Sequence, residues 1–470
     1  MKNHNLKKDD IVTVRINEIN NLGSGVGKLA ESGIVVFING AVTGELVKAK
    51  LIKVNKSYCV GRLEEIIEPS PYRENSFCSA PLSCGGCVYR HVNREHELEL
   101  KKNYVRHAFI KVGLPDVEVN DVLHLPERSG YRNKAQYPIG ISKNGVIAGF
   151  YAAKTHKIIP YDNCALQPQI FSDILRAFCS FATLKKITVY DEESGKGLLR
   201  HLYLRMASAT GEIMLCAVIN GDKLPYSDEF SALMTAEFPQ IKSIMLNINK
   251  KNTNVVLGDE YRCISGKPYI TDVLCGKKFM ISPGSFYQVN RDGAELLYGT
   301  AAKLADFKGN ETILDLYCGI GTIGLSMADK VGEVIGIEIV PEAVECAKKN
   351  AELNGISNAE FYCGDASSAP ALLENASKMR GGLSPDAVIL DPPRKGSTPE
   401  LITYLSELNV PKIIYISCDP DTLARDCVLF RELGYTIGKV TPVDMFPVAG
   451  HVESVVCLKR RLDNELHEKS

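Results

Sequence analysis

The sequence predicts a three-part chain: a small closed β-barrel, a mixed α+β middle, and a C-terminal α/β unit built on a parallel sheet. Three observations carry this. Residues 9–67 alternate apolar and polar side chains in four or five short runs punctuated by glycine, the pattern of a small barrel rather than a sandwich. From about 120 to 270 strand-like runs return with interspersed helix, and from Thr271 strands and helices alternate regularly, which marks a parallel sheet. A length of 470 residues holds about three domains; with a break at Pro69-Ser-Pro71, the boundaries are expected at 1–68, 69–270 and 271–470.

Composition narrows the setting. No apolar run is long enough to span a bilayer, and the start, Met1 to Asp10, lacks the apolar core of a signal peptide. Cytoplasmic residence and no membrane partner are therefore expected. The formal net charge of -1 neither requires nor excludes a nucleic-acid partner, because a basic face can be balanced elsewhere. Residues 1–62, with 10 Lys and Arg against 5 Asp and Glu, carry a mild basic footprint. Fifteen cysteines in a chain without an export signal point to metal binding or catalysis rather than disulfides. Cys59, Cys216, Cys275 and Cys457 lie in apolar runs and are expected to be small buried hydrophobes.

The barrel runs are Ile11 to Ile16, Gly23 to Gly27, Gly33 to Gly40, Glu45 to Leu51 and Cys59 to Leu63. They resemble the TRAM domain, an OB-like barrel attached to several RNA-modifying enzymes, and barrels of this type commonly carry nucleic acid. Cys78, Cys84 and Cys87 follow in C-x5-C-x2-C spacing around a glycine pair, which can turn three sulfurs toward one centre. No fourth ligand follows locally; Cys164, in the turn-rich stretch Pro160 to Ala165, is the candidate. Four thiolates suit zinc or an iron–sulfur cluster, and spacing does not separate the two. Residues 94–112 place Leu98, Leu100, Tyr104, Val105 and Phe109 near helical spacing, with Gly113 at the end. In the middle part Arg128, Arg132, Lys134, Arg200 and Arg205 interleave with Tyr131, Tyr137 and Tyr203. Such a surface could pair with phosphates and stack on bases, or form the wet face of an antiparallel sheet with no ligand.

In the C-terminal part, strands are expected at Glu311–Asp315, Glu333–Glu338, Glu360–Cys363, Ala387–Leu390 and Lys412–Ile416, with a last one over Gly450–Lys459. Helices are expected from Ile323 to Lys330 and from Pro341 to Asn354, the latter with Pro in its first turn. Three strand ends converge on one edge, where open α/β sheets keep their chemistry. The turn Asp315-Leu-Tyr-Cys-Gly-Ile-Gly321 lacks the third glycine of a dinucleotide fingerprint. Glu338, closing the next strand, could accept from both ribose hydroxyls, and Asp365 from an adenine amine. With Asp391-Pro392-Pro393-Arg394 this is the layout of an S-adenosyl-L-methionine enzyme rather than a nicotinamide one.

Cys418, at the end of a buried strand, suggests a target that cannot attack a methyl group unaided. Carbon 5 of a pyrimidine is such a target: addition of the thiolate to carbon 6 makes carbon 5 nucleophilic. A base must then remove the carbon 5 proton, and Glu453 is the carboxylate in place for it. Asp391 and Gln288 could hydrogen-bond the ring edge.

Together, Phe286-Tyr-Gln-Val-Asn290, Asp315-Leu-Tyr-Cys-Gly319, Asp391-Pro-Pro-Arg-Lys-Gly396, Ser417-Cys-Asp-Pro420 and His451-Val-Glu-Ser454 resemble the bacterial RNA uracil-5-methyltransferases. The barrel and the four cysteines bring the chain nearest to the 23S ribosomal RNA (23S rRNA) branch. The resemblance implies a Rossmann-like class I methyltransferase domain behind an RNA-binding centre, acting as a monomer on 23S rRNA. It implies Cys418 as nucleophile and Glu453 as general base, and S-adenosyl-L-methionine contacts at Gln288, Tyr317, Thr322, Glu338, Asp365 and Asp391. It also implies a four-iron, four-sulfur (4Fe-4S) cluster, ahead of zinc, on Cys78, Cys84, Cys87 and Cys164. Asp419, Tyr287, Tyr317 and Thr322 depart from the commonest family residues. The tRNA branch of the family, and a catalytically silent RNA-binding factor, are the alternatives.

Overall fold

The computed structural model describes residues 6–81, 84–152, 155–365 and 384–461. Five strands, β1 (Ile11–Ile19), β2 (Ser24–Lys28), β3 (Val35–Asn39), β4 (Leu46–Val54) and β5 (Tyr58–Glu68), close into a barrel in the order 1-2-3-5-4. Their period-2 pattern sends Val14, Ile16, Val36, Ile38, Val47, Ala49 and Cys59 inward to one core.

Helix α1 (Arg94–Lys111) starts where the Asn93 side chain accepts from the His96 amide at 2.9 Å. Val105, Ala108 and Phe109 on this helix join the core of the C-terminal sheet, although the whole central sheet lies between them in the chain. That sheet has seven strands, β6 (Lys134–Ser142), β7 (Gly145–Tyr151), β8 (Ile158–Pro160), β9 (Leu199–Met206), β10 (Ile213–Ile219), β11 (Ile241–Ile248) and β12 (Glu260–Gly266), in the order 12-11-10-9-6-7-8. Its core includes α2 (Gln169–Leu184) and α3 (Ser227–Glu237). A hairpin of β13 (Ile270–Leu274) and β14 (Lys277–Ile281) leads on to α4 (Arg291–Ala305).

The C-terminal sheet holds β15 (Thr312–Leu316), β16 (Glu333–Glu338), β17 (Ala359–Cys363), β18 (Ala387–Leu390), β19 (Lys412–Ser417), β20 (Tyr435–Ile437), β21 (Thr441–Val443) and β22 (Glu453–Arg460). The order is 17-16-15-18-19-22-20, with β21 also paired to β22. Strands β15 to β19 run parallel; β22 is antiparallel to β19. Helices α5 (Thr322–Met327), α6 (Pro341–Leu353), α7 (Pro399–Glu407) and α8 (Pro420–Glu432) connect them. Both faces are buried, so the strands read as continuous apolar runs instead of alternating ones.

Small differences from the sequence pattern have local causes. Helix α5 begins one residue early and tightens to a 3-10 turn at Ala328–Lys330. The last strand begins at Glu453 rather than Gly450, because the preceding residues turn to meet other parts of the chain. Cys275 is half-buried with φ +50: it sits in the hairpin turn, whereas Cys59, Cys216 and Cys457 are buried.

Candidate active site

Strand alternation gathers the chemistry on one face. Ile313, Val334, Ile389, Ile416 and Val455 all belong to the same core, so Asp315, Asp391 and Glu453, two residues along their strands, and Glu338, four along, point to that side. Ser417 of β19 pairs with Ser454 of β22, and Cys418 and Glu453 are the next positions in register. They therefore face each other at the carboxyl edge, with Asp391 at the end of the adjacent strand.

These residues open on one cavity of about 980 Å³. Gln288, Tyr317, Thr322, Glu338, Asp391, Cys418 and Glu453 line it, and so do Cys78, Cys84, Cys87 and Cys164. Asp365 stands apart: it is exposed beyond β17 and is not among the lining residues, though its charge, with burial, raises the Tyr317 phenol. The cofactor turn is tight. Tyr317, Gly319 and Gly321 have φ of +68, +56 and +83, and the Tyr317 amide donates to Ile337 O at 3.0 Å. Glu338 is pinned beside it, accepting from the Gly319 amide at 3.0 Å and the Val340 amide at 2.9 Å. Each oxygen keeps a lone pair for a ribose hydroxyl.

Arg90, Arg132, Lys134 and Arg394 line the cavity, but at the end that holds Cys418 and Glu453 the cation that opposes the carboxylates is Arg394. Burial raises Asp391 to about 7. Burial, then repulsion from Asp391, raises Glu453 to about 8 against the pull of Arg394. Asp315 is raised to about 7 by burial, and by Asp391 and Glu338, although it accepts from the Gly324 amide at 2.8 Å. The Cys418 thiol is pushed up to about 11 by burial, then by Glu453 and Asp391, with Arg394 opposing. Buried groups of one sign raise one another's pKa, and an added positive charge would reverse the shift. A cationic ligand suits this cavity.

The four cysteines also act on one another. Burial, then Cys164, Cys78 and Cys84, pushes Cys87 up to about 12. Yet among the described residues no three His, Cys, Asp or Glu side chains are placed to hold a single metal ion. A tetrahedral zinc would bring sulfurs within about 3.8 Å of each other, given bonds of about 2.3 Å. Thiolate donors of this kind suit zinc or an iron–sulfur group.

Sequence reasoning missed Tyr298 on α4. Its buried phenol lines the cavity together with Gln288, Thr322 and Asp391, and burial, then Asp391, raises it. No motif marked it. Arg132 and Lys134 line the same cavity, and burial with Arg205 and Arg132 lowers Lys134 to about 8.

Residues 251–461 match the tRNA (Uracil-5-)-methyltransferase family and residues 7–63 the TRAM domain. An uncharacterised RNA methyltransferase of Clostridium acetobutylicum is 41% identical over 459 residues, covering 97% of this chain and 98% of the relative. The chain belongs to the RNA uracil-5-methyltransferase family. A Bacillus cereus RNA methyltransferase is 39% identical over 455 residues, with 97% and 98% coverage. Among solved structures, Pyrococcus abyssi tRNA (uracil-54, C5)-methyltransferase in complex with S-adenosyl-L-homocysteine is 26% identical, with a TM-score of 0.75 over 95% of this chain and 100% of that one. As a family member the chain is an S-adenosylmethionine-dependent RNA methyltransferase, with an OB-like TRAM barrel ahead of a class I domain. Among the described residues no helix is long and apolar enough to cross a membrane.

Proposed function

We propose that the protein methylates carbon 5 of a uridine in 23S rRNA through a covalent adduct between Cys418 and carbon 6. The observation that carries this is the register of β19 against β22, which sets the thiol of Cys418 opposite the carboxyl of Glu453. Gln288, Tyr317, Thr322, Glu338 and Asp391, with Asp365 outside the cavity wall, hold the cofactor. Bound S-adenosyl-L-methionine supplies an electrophilic methyl group on a cationic sulfonium.

The Cys418 thiolate forms a bond to carbon 6, and the ring electrons pass to an enolate oxygen to which the Gln288 amide donates, while the Asp391 carboxylate accepts from the ring N–H. Carbon 5 takes the methyl group as the methyl–sulfonium bond breaks, leaving a neutral thioether. Glu453 then removes the carbon 5 proton, the carbon 5–carbon 6 double bond re-forms, and the carbon–sulfur bond breaks, returning thiolate. The raised carboxyl makes Glu453 a strong base once it is ionised, and positive charge in the cavity favours that ionisation. The same charge, together with Arg394, favours the thiolate. The uridine must be unpaired or flipped out of its stack to reach Cys418, with the barrel and central sheet binding the surrounding RNA by shape and loop bases.

A 4Fe-4S cluster on Cys78, Cys84, Cys87 and Cys164 completes the reading. Four thiols crowding one cavity support it, and a role in ordering the residues around Arg90 and Arg132 follows. Brown, iron-containing protein from anaerobic purification is expected; a colourless, zinc-loaded sample would overturn it.

The tRNA reading has a specific observation in its favour. The solved neighbour acts on tRNA and matches 95% of this chain, leaving too few residues uncovered to exclude the barrel. The barrel therefore does not discriminate between substrates. Nucleoside mass spectrometry decides: unmodified 23S rRNA and tRNA are each incubated with the protein and methyl-labelled S-adenosylmethionine. Labelled 5-methyluridine in 23S rRNA alone is expected, label in tRNA moves the assignment, and label in neither removes the activity.

A further inference from the structure

The segment from Asp444 to Val452 links β21 to Glu453 and is gripped by residues from every other part of the chain. Lys101 Nζ donates to Asp444 Oδ1 at 2.6 Å and to Phe446 O at 3.0 Å. Asn290 Nδ2 donates to Met445 O at 2.9 Å, and the Tyr131 hydroxyl donates to Pro447 O at 3.1 Å. The Val448 amide donates to Glu97 Oε1 at 2.6 Å, while Val448 O accepts from the Tyr89 amide at 2.9 Å. Gly450 lies so close to Asn21 O in the β1–β2 turn of the barrel that no side chain fits.

Within this segment Val448 has φ +59. A β-branched residue rarely adopts that conformation, because its Cβ crowds the backbone. Such strain persists where the surroundings over-determine it, and it clusters at functional sites. Two bonds hold it here, from the Tyr89 amide to Val448 O and from the Val448 amide to Glu97. The Glu97 carboxylate is fully buried and is held by Lys101 at 2.8 Å, Arg128 at 3.2 Å and Arg94 at 3.3 Å. It does not line the cavity. The same cations serve other carboxylates, Lys101 and Arg94 holding Asp444 and Arg128 holding Glu74, so Glu97 sits inside a shared network that ties α1 to the segment. The remaining hydrogen bond of Glu97 goes to Val448.

We infer that Glu97 is a positioning residue for Glu453: by holding Val448 in the left-handed conformation it fixes where the segment delivers the base opposite Cys418. The inference rests on the role proposed above for Glu453. The barrel touches the same segment at Gly450, so the base is set by the assembled molecule and not by β22 alone.

The test uses the full-length protein with an unmodified 23S rRNA transcript and S-adenosylmethionine. Turnover and the covalent methylated adduct, seen on denaturing gels, are measured side by side for Glu453→Gln, Glu97→Gln and Glu97→Asp. The Asp variant keeps the charge but withdraws from the Val448 amide, so it holds the question open if the Gln variant does not fold. A loss of turnover on the order of 100-fold is expected for a displaced catalytic group, with adduct formation nearly unchanged, so that adduct accumulates as it does in Glu453→Gln. Adding Val448→Gly, which accepts the same φ without restraint, should recover at least about tenfold. Accumulation in Glu453→Gln but equal loss of adduct and turnover in the folded Glu97 variants, with no recovery on adding glycine, overturns the positioning role alone. No accumulation in Glu453→Gln overturns the base assignment and this inference with it.

Discussion

Asp444 and Glu453 are both buried carboxylates on one short stretch, and the fold treats them in opposite ways. Asp444 is 1% exposed and Glu453 5%. Burial pushes Asp444 up, but Lys101 and Arg94 outweigh it and hold the carboxyl below its ordinary value. Burial and Asp391 leave Glu453 raised to about 8, with only Arg394 pulling it down. A carboxylate that is fully paired contributes to the fold. One that is buried and under-compensated is available to take a proton, the distinction that marks functional groups among buried charges.

Four substitutions and conditions bear on that contrast, in falling order of effect. Cys418→Ala should lose methyl transfer by about 10⁴-fold or more, with no adduct on a denaturing gel, because no other group can activate carbon 5. Glu453→Gln should keep adduct formation but slow release by about 10² to 10⁴-fold; equal adduct in Cys418→Ala and Glu453→Gln would remove both assignments. Asp444→Asn should leave Lys101 and Arg94 short of a partner and cost about 3–5 kcal/mol in urea unfolding at pH 7. Because the folded pKa of Asp444 is lowered, that cost is present above the ordinary carboxylate pKa and fades as pH falls through the folded value. Glu453 has the opposite sign: its folded pKa is raised, so the wild type loses stability as pH rises from about 4.5 toward 8. Glu453→Gln, free of that penalty, should gain on the wild type by about 1–4 kcal/mol between pH 5 and pH 8.5. A gap that does not move with pH would mean Glu453 is not desolvated as described.

Much of this site was legible because its residues end strands. Asp391, Cys418 and Glu338 each close a continuous apolar run, so pattern alone placed them on one edge. The period-2 alternation that puts them on one face is equally local. The environment of Glu453 was not legible. Its pairing with Cys418 depends on an antiparallel register between strands separated by α8 and two short strands. The grip on Asp444–Gly450 comes from α1, the central domain and the barrel, and no local pattern announces that Glu97 reaches Val448. Tyr298 escaped for the same reason: on sequence it is one more apolar position of a helix, and only packing turns it toward Asp391. Asp365 follows the same rule as Glu338: it stands just after β17, the marginal strand of the sheet.

The most direct test of the covalent mechanism is peptide mapping of the adduct trapped by Glu453→Gln. The protein is incubated with unmodified 23S rRNA and methyl-labelled S-adenosylmethionine, digested with nuclease and protease, and analysed by mass spectrometry. The peptide containing Cys418 should carry a nucleotide bearing one labelled methyl group. A folded, cofactor-binding variant with label on another cysteine, or with label in free RNA and none on the protein, would contradict the assignment of Cys418 and Glu453 as a nucleophile and base facing each other across β19 and β22.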